Sequence, residues 1–409
     1  MRLRLSALIA VVLAVVSGCG GGSSPTSGPT VAIVISAPVS TTPWIASFER
    51  NGAELAVDEI NEHGGAVING VHTRLVVQVH DNHGSPSQAA AIARQAVDEH
   101  AAALIFDGVG AAAIAQVTDK AGLPAFDVFD GGQSIVDPER RPTIYRLAPA
   151  DKYLTLRLAD YLAARKPKIA IVADDTGYGA DGRSSLASAF RRDEIAVVTA
   201  SSVASTTTDV STQVLAARRA GATSLVVWAS APIVAESIVA ARSAGWQVPI
   251  WAGPAGEDPY VRQRLAAHPD WLSGVGFVSF RITAEVGPAP FAAYRKAYVA
   301  KFGEDDLGLK QDGKQVVQPP DWSMFSYDTV NLVAAALAKS GATGPPLQQT
   351  LAGHISIVGA NGDERGYSAT SREGVSPDDM YFAVFDGFVF KPVTDDLLSQ
   401  NLPMVPQTR

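Results

Sequence analysis

Acidic side chains follow several apolar segments of this sequence, and they are the residues best suited to chemistry. Asp107, Asp127 and Asp130 lie at or just after short apolar runs in the first third of the chain. Paired carboxylates can act as general acid and base, but no proton-transfer partner is identifiable for these three. The sequence also has no Gly-x-Ser-x-Gly elbow, no cysteine nucleophile and no His-Glu-x-x-His motif. We therefore favour binding over catalysis, with helix capping or solvent exposure as the alternative role of any one aspartate.

A glycine-rich motif and a histidine pair offer two other kinds of chemistry, and both are weakly supported. Residues 177–182 fit the G-x-G-x-x-G pattern, but residues 174–176 separate them from the preceding apolar run. In a dinucleotide site the glycines follow the strand directly, and the two aspartates at 174 and 175 would repel a pyrophosphate. His80 and His83 do not have the spacing of a zinc site. We expect neither a cofactor nor a metal.

The first 18 residues have the pattern of a secretory signal peptide. Arginines at positions 2 and 4 precede residues 5–16, which are apolar apart from Ser6, and small residues follow. The apolar run is shorter than the ~20 residues that a membrane-spanning helix needs. We therefore expect residues 1–18 to be removed on export.

The segment that follows resembles the lipobox of bacterial lipoproteins. Residues 16–19 read Val-Ser-Gly-Cys, and Cys19 is the only cysteine of the chain, so it cannot form an internal disulfide. The resemblance implies that Cys19 is diacylated and becomes the mature N-terminus; a chance cysteine after an ordinary leader is the alternative. Residues 19–30 then comprise the lipidated cysteine and a tether rich in Gly, Ser and Pro.

Length, composition and charge narrow the class of protein. The chain has 409 residues, 47% of them hydrophobic and 18% charged, which allows two or three domains with sizeable cores and excludes a disordered chain. A formal net charge of −8 argues against nucleic acid as a partner, because phosphate binding requires a basic surface.

From residue 31 onward, short apolar runs alternate with segments of helical periodicity. Residues 31–36 have the apolar character of a buried parallel strand, and residues 48–61 have one apolar helical face. The alternation continues to residue 280 and predicts parallel sheets covered by helices, in two successive sets that indicate two similar lobes. Residues 305–321 are polar and predict a loop, whereas Asp386-Gly387 predicts a hairpin turn between two late strands.

Several segments, taken in order, resemble the type I periplasmic binding proteins of the leucine/isoleucine/valine-binding kind. The longest is NGAELAVDEINEHGG at residues 51–65, which matches the family's N-G-x-x-x-A-x-x-x-I-N-x-x-G-G helix and turn. The others are DNHGSPSQA at 81–89, AGLP at 121–124, YG at 178–179, and ARSAG at 241–245 before GP at 253–254. Together they cover about residues 31–391.

The resemblance implies an α/β fold of two doubly wound, Rossmann-like lobes, with a three-strand hinge and a ligand cleft between the lobes. It places residues 31–148 and about 281–352 in lobe 1, and residues 149–280 and about 353–395 in lobe 2. Residues 396–409 form a C-terminal tail. The hinge crossings are expected near Ala148, near Phe280 and at about residues 351–359.

In this fold the ligand lies at the carboxyl ends of the strands. Trp44 lies where family members present an aromatic ring, and Tyr178 matches a cleft tyrosine; core packing is the alternative for both. The ligand-binding residues that we predict are Trp44, Asp107, Gly110, Asp127, Asp130, Gln133, Tyr178, Ser230 and Glu257.

The sequence departs from the family where amino-acid-binding members hold an α-amino acid. The loop at residues 107–111 lacks the family's Ser/Thr for the ligand carboxylate, and Ala255 aligns with the family's glutamate for the ammonium group. Glu257 lies two residues further on and could substitute. These changes favour a ligand without a free carboxylate: a cation, an amide or a polyhydroxylated molecule.

The resulting hypothesis is an exported protein, lipid-anchored at the outer face of the bacterial cytoplasmic membrane. It captures a small polar solute and delivers it to the permease of an ABC importer, and it is not an enzyme. A sensor that presents its ligand to a membrane receptor is the first alternative, and an extracellular hydrolase with an acidic cleft is the second.

Overall fold

The computed structural model describes residues 28–280, 289–303, 308–311, 314–317 and 322–396. The predicted signal peptide, Cys19, the tether up to residue 27 and the tail after residue 396 lie outside these residues. Among the helices of this described part, none is long and apolar enough to cross a membrane.

The first sheet has six strands in the order β2-β3-β1-β4-β5-β6. The strands are β1 Thr30–Ala37, β2 Ala66–Ile68, β3 Val71–Asp81, β4 Ala103–Phe106, β5 Ala125–Asp127 and β6 Ile144–Arg146, and the helices are α1 Pro43–Glu62, α2 Pro86–Asp98 and α3 Ala111–Ala121. β1 lies between β3 and β4, parallel to both, and is buried along most of its length. A strand covered on both faces must be apolar, which explains the run at residues 31–36.

The second sheet has seven strands in the order β17-β16-β11-β10-β9-β7-β8. Its strands are β7 Lys168–Asp174, β8 Ala196–Val203, β9 Ser224–Trp228, β10 Ile250–Ala252, β11 Val275–Phe280, β16 Met380–Asp386 and β17 Val389–Pro392. The helices of this part are α4 Asp151–Ala163, α5 Gly177–Arg192, α6 Ser211–Arg219, α7 Ala231–Ser243 and α8 Pro259–Arg264. β7 to β11 are parallel, whereas β16 pairs antiparallel with β11 and with β17.

The predicted hairpin turn at Asp386-Gly387 is confirmed. β16 ends at Asp386, and Gly387 has a φ of 61°, the left-handed conformation that glycine adopts without strain. The predicted loop at residues 305–321 is wrong in part, because it contains a hairpin of β12 Gly308–Gln311 and β13 Lys314–Val317. Two four-residue strands of mixed polarity carry too little periodicity to be recognised.

The remaining elements return the chain to the first sheet. They are α9 Ala289–Phe302, α10 Ser323–Ser340, α11 Pro345–Ala352, β14 Ile355–Val358 and β15 Glu364–Tyr367. α10 packs closely on α1, and a Cβ at Gly52 would lie 1.9 Å from the carbonyl oxygen of Ser323. Only glycine allows the two backbones to approach this closely.

The β14–β15 hairpin is held against α10 by buried charges. Asp328 of α10 accepts a hydrogen bond from the backbone of Ala360 at 2.8 Å and lies 3.5 Å from Arg365 of β15, which also pairs with Asp379 at 2.6 Å. The chain therefore leaves the second sheet after β11, packs on the first sheet's helices, and returns to the second sheet at β16. The exact lobe boundaries and hinge positions stay predictions.

Candidate ligand-binding cavity

A cavity of about 960 Å³ lies at the carboxyl ends of the parallel strands of both sheets. The loops after β1, β4 and β5 form one wall, and the loops after β7, β9 and β10 form the other. The polar and aromatic residues of its lining are Thr41, Thr42, Trp44, Phe48, Asp107, Phe129, Asp130, Asp151, Asp174, Thr176, Tyr178, Ser230, Glu257, Asp258, Tyr260, Gln263 and Trp322. This is where open α/β sheets bind ligands, because the strand-to-helix loops converge there.

Two carboxylates of the first wall are held in place by hydrogen bonds. Asp107 accepts hydrogen bonds from Asn82 Nδ2 at 3.0 Å and from the amide of Val109 at 3.2 Å. Asp130 accepts one from the amide of Gly132 at 2.8 Å. The loop after β4 can lie against Asp130 because residue 108 is glycine: it has a φ of 90°, and a Cβ there would lie 2.3 Å from Asp130 Cβ.

A third carboxylate of the lining, Asp151, is the first residue of α4, a helix that packs beside the second sheet. Its backbone amide donates to the carbonyl of Gly131 at 2.9 Å, which fixes α4 to the loop after β5. The residue is 2% exposed, and its Oδ2 atom has no hydrogen-bond partner. An acid in the first turn is favoured by the helix dipole, but this side chain does not cap the helix.

Burial raises the pKa values of this acidic group. Burial raises the pKa of Asp107 to about 6 and that of Asp151 to about 8, and it also raises the pKa of Asp130. For Asp151 the charge of Asp130 adds to the effect of burial, whereas the charge of Arg146 opposes it. Behind the wall, burial followed by the charges of Asp107 and Asp127 raises the pKa of Glu49 well above its usual value.

A buried ion pair supports the same wall from behind. Arg146 pairs with Glu373 through two hydrogen bonds, of 2.8 Å from Nε and 3.0 Å from Nη2. Its Nη1 atom donates to the carbonyl oxygens of Asp130 and Gly132, at 2.9 and 2.8 Å. Lys152 also contacts Glu373, at 3.1 Å. Arg146 therefore fixes the backbone of the loop after β5, and Glu373 neutralises the charge of Arg146.

Aromatic rings form a second surface of the cavity. Trp44 is 45% exposed, with its ring 5.9 Å from Phe48 and 5.6 Å from Phe129 in edge-on contacts. Phe129 in turn lies 5.2 Å from Trp322, the residue before α10. On the opposite wall, the ring of Tyr178 lies 5.7 Å from the fully buried Trp228. A ligand in the cavity is thus bounded by rings as well as by carboxylates.

The second wall carries carboxylates that accept hydrogen bonds from the backbone or from Trp322. Asp174 accepts hydrogen bonds from the amide of Thr176 at 3.2 Å and from the amide of Ser230 at 2.7 Å. Glu257 is 2% exposed and accepts a hydrogen bond from Trp322 Nε1 at 3.1 Å. Asp258 caps α8 through the amide of Tyr260. These contacts order the loops after β7, β9 and β10 around the cavity.

Six of the predicted ligand-binding residues line the cavity together, namely Trp44, Asp107, Asp130, Tyr178, Ser230 and Glu257. The remaining three are not among the described residues of its lining. Asp127 is fully buried and accepts hydrogen bonds from the amides of Phe129 and Asp130, so it shapes the loop from beneath. Gly110 lies before α3, where a Cβ would come 2.9 Å from Pro86 Cα, and Gln133 is exposed and donates to Ser185.

Sequence reasoning missed Asp151, Arg146 and Trp322. Asp151 begins a helix instead of ending a strand, and Trp322 follows a segment that was predicted to be a loop. Arg146 lies inside the short strand β6, where an isolated arginine gives no indication of its partner Glu373, 227 residues away in sequence. An arginine in an otherwise apolar strand is nonetheless a usable indication of a buried ion pair.

Two mainly parallel sheets that share a cavity at the carboxyl ends of their parallel strands define an α/β fold of a known class. Residues 33–386 match the family model described as periplasmic binding protein, and the chain belongs to that family. No protein with a curated description matches the sequence.

Solved structures of type I periplasmic binding proteins share this fold. A type 1 protein from Bordetella pertussis Tohama I is 19% identical, with a TM-score of 0.75 over 89% of this chain and 100% of that one. The branched-chain amino acid transporter protein LivJ from Streptococcus pneumoniae, in complex with isoleucine, is 20% identical, with a TM-score of 0.71 over 88% and 97%. An ABC transporter solute-binding protein from Rhodopseudomonas palustris BisB5, in complex with 3,4-dihydroxybenzoic acid, is 18% identical, with a TM-score of 0.66 over 88% and 94%. The predicted fold class is confirmed.

Proposed function

We propose that the protein is a lipid-anchored, extracytoplasmic solute-binding protein that captures a small polar molecule between two lobes and passes it to an ABC importer. The observation that carries the proposal is the cavity of about 960 Å³, which is walled by loops from both sheets. Its volume suits a small molecule. A solute that contacts both walls binds the closed arrangement best, so binding shifts the population toward closure.

Family membership supports the proposed role. Proteins of similar fold include a branched-chain amino acid transporter protein and an ABC transporter solute-binding protein, and both hold a small molecule. The role requires only binding and release, and the cavity contains no described cysteine, histidine or lysine that could serve as a nucleophile or general base. In this role the solute is released unchanged.

The N-terminal sequence supports the proposed anchor. A signal peptide at residues 1–18, Cys19 and a Gly/Ser/Pro tether would place the folded part at the outer face of the cytoplasmic membrane. Two or three acyl chains on one cysteine give a stable attachment, whereas one chain binds only marginally. An anchored binding protein keeps its solute close to the permease.

A thermal-shift screen of the full-length protein tests the proposed function. The panel comprises amino acids, amides, amines, sugars and aromatic acids, because a ligand that binds only the folded state raises its melting temperature by mass action. We expect at least one class of solute to raise the melting temperature in a saturable manner. A flat response to every class, at concentrations up to the millimolar range, would contradict the proposal.

A further inference from the structure

The described part of the cavity lining carries acidic groups and no basic ones. Among the described lining residues none is a lysine, arginine or histidine. Six carboxylic acids line the same space, namely Asp107, Asp130, Asp151, Asp174, Glu257 and Asp258. A ligand with a free carboxylate would meet these groups without a basic partner, whereas a cation would be attracted to them.

Two cations close to the acidic residues of the first wall are already paired. Arg146 donates two hydrogen bonds to Glu373, and its third nitrogen is directed to backbone carbonyls. Lys152 is bound to the same glutamate at 3.1 Å. Neither of these side chains lines the cavity. Arg146 and Lys152 stabilise the loop after β5. They do not neutralise the carboxylates that line the cavity.

Asp151 gives independent evidence for a ligand. It lines the cavity, is 2% exposed, and has an Oδ2 atom without a hydrogen-bond partner. Buried carboxylate oxygens are normally satisfied, since an unpaired one loses its hydration without compensation. Because Asp151 belongs to the lining, a donor on a bound solute is the group best placed to satisfy this oxygen.

The aromatic rings select among cations. Trp44, Phe129 and Trp322 line the cavity as a continuous set of rings, and Trp44 keeps 45% of its surface exposed. Aromatic faces attract ammonium and guanidinium groups and also cover apolar carbon. An inorganic cation has no apolar carbon to place against these rings, so they favour an organic cation with an apolar part.

We propose that the solute is an organic cation without a carboxylate, an amine, quaternary ammonium or guanidinium compound, held by Asp151 together with Asp107 and Asp130 and flanked by the Trp44–Phe129–Trp322 rings. This inference rests on the proposed function and names its substrate class. This class of solute differs from the isoleucine and the 3,4-dihydroxybenzoic acid that two proteins of similar fold hold.

Matched probes that differ in charge test the substrate class. Calorimetric titration of the full-length protein uses tyramine against its neutral alcohol tyrosol, and choline against its neutral isostere 3,3-dimethyl-1-butanol, with agmatine as the guanidinium probe and benzoate as the anion. We expect at least one cationic probe to bind with a Kd at least ten-fold below that of any neutral or anionic probe. Equal or tighter binding of a neutral or anionic probe overturns the substrate class and leaves solute binding intact. Failure of every probe overturns the substrate class, and a flat thermal-shift screen in addition overturns the proposed function.

Two variants test whether the named carboxylate makes the contact. Asp151→Asn should weaken binding of the best cationic probe at least ten-fold, because an amide keeps the shape and removes the charge. Asp270→Asn, at an exposed site outside the lining, is the control and should bind like the wild type. If Asp151→Asn does not fold, as judged by its melting curve, Asp107→Asn replaces it with the same expectation. Unchanged affinity in the folded variant overturns the assignment.

Discussion

Trp322 Nε1 donates a hydrogen bond to Glu257 Oε1 at 3.1 Å, and this bond joins the start of α10 to the loop after β10. α10 packs on α1 beside the first sheet, whereas Glu257 follows a strand of the second sheet. The bond therefore links the two sides of the cavity through residues that both line it.

The Trp322–Glu257 bond should contribute measurably to stability. Trp322→Phe keeps a ring of similar shape and removes the donor to a buried carboxylate, so we expect the free energy of unfolding to fall by about 2 kcal/mol. Urea denaturation measures the change. Trp271→Phe, at a half-buried tryptophan outside the cavity, is the matched control. An equal fall in the free energy of unfolding of both variants would show that the Trp322–Glu257 bond does not stabilise the protein.

The raised pKa of Asp151 should make the unliganded protein less stable at alkaline pH. Asp151 is faced by Asp130, Arg146, Asp181 and Tyr178, and burial raises its pKa to about 8. A carboxyl whose pKa is higher in the folded state binds more protons there than when unfolded. Stability therefore falls as pH rises from about 4 to about 8. Melting temperatures of the free protein between pH 5 and pH 9 should decline.

Removing the charge of Asp151 should restore part of the stability that is lost at alkaline pH. Asp151→Asn should raise the free energy of unfolding at pH 9 by on the order of 2 kcal/mol and have little effect at pH 4. Chemical denaturation at the two pH values measures this difference. A variant that is destabilised equally at both pH values would mean that the carboxylate is satisfied in the folded protein.

Binding of a cation should release protons. Burial raises the pKa of Asp107 to about 6 and that of Asp151 to about 8, and an ammonium group favours the ionised form of each. Affinity for the best cationic probe should therefore rise from pH 6 to pH 8. Titrations in two buffers of different ionisation enthalpy count the protons, and a count of zero at pH 7 would contradict the contact.

Branched-chain amino acids should bind weakly. The lining has no described basic side chain to meet their carboxylate, and the acids of the first wall repel it. We expect leucine, isoleucine and valine to bind with Kd values above the micromolar level, which corresponds to about −8 kcal/mol. Calorimetry measures the Kd of each amino acid, and a submicromolar value for any of the three would refute the expectation.

The anchor is tested by a single substitution. Cys19→Ser should prevent acylation, so labelled fatty acid should be incorporated into the wild type and not into the variant. Metabolic labelling of cells followed by immunoprecipitation measures the incorporation. Equal labelling of the two proteins, or none in the wild type, would contradict an anchor at Cys19.

The sequence predicted the sheets well because buried parallel strands are apolar along their whole length. The strand predicted at residues 31–36 lies within β1, Thr30–Ala37. α1 begins at Pro43, five residues before the predicted start, because proline is well suited to the first helical turn. The hairpin at residues 308–317 was missed because its strands lack an apolar face to reveal them.

The cavity was harder to predict, because its contacts join residues that are distant in sequence. The rule that ligand-binding residues follow the ends of parallel strands selected Asp107, Asp130 and Ser230, which line the cavity. The same rule selected Asp127, whose backbone hydrogen bonds direct it beneath the wall. A rule based on strand ends could not select Asp151, because this residue starts a helix. Its burial depends on the packing of α4 against the loop after β5.

The central claim, capture of a solute in the cavity, is tested most directly by one calorimetric comparison. The solute that raises the melting temperature most is titrated into the wild type and into Ala255→Trp, which places an indole in the lining of the second wall. We expect one-to-one binding to the wild type and at least a hundred-fold weaker binding to a folded Ala255→Trp. Equal affinity of the two proteins would contradict it, because the solute would then bind elsewhere.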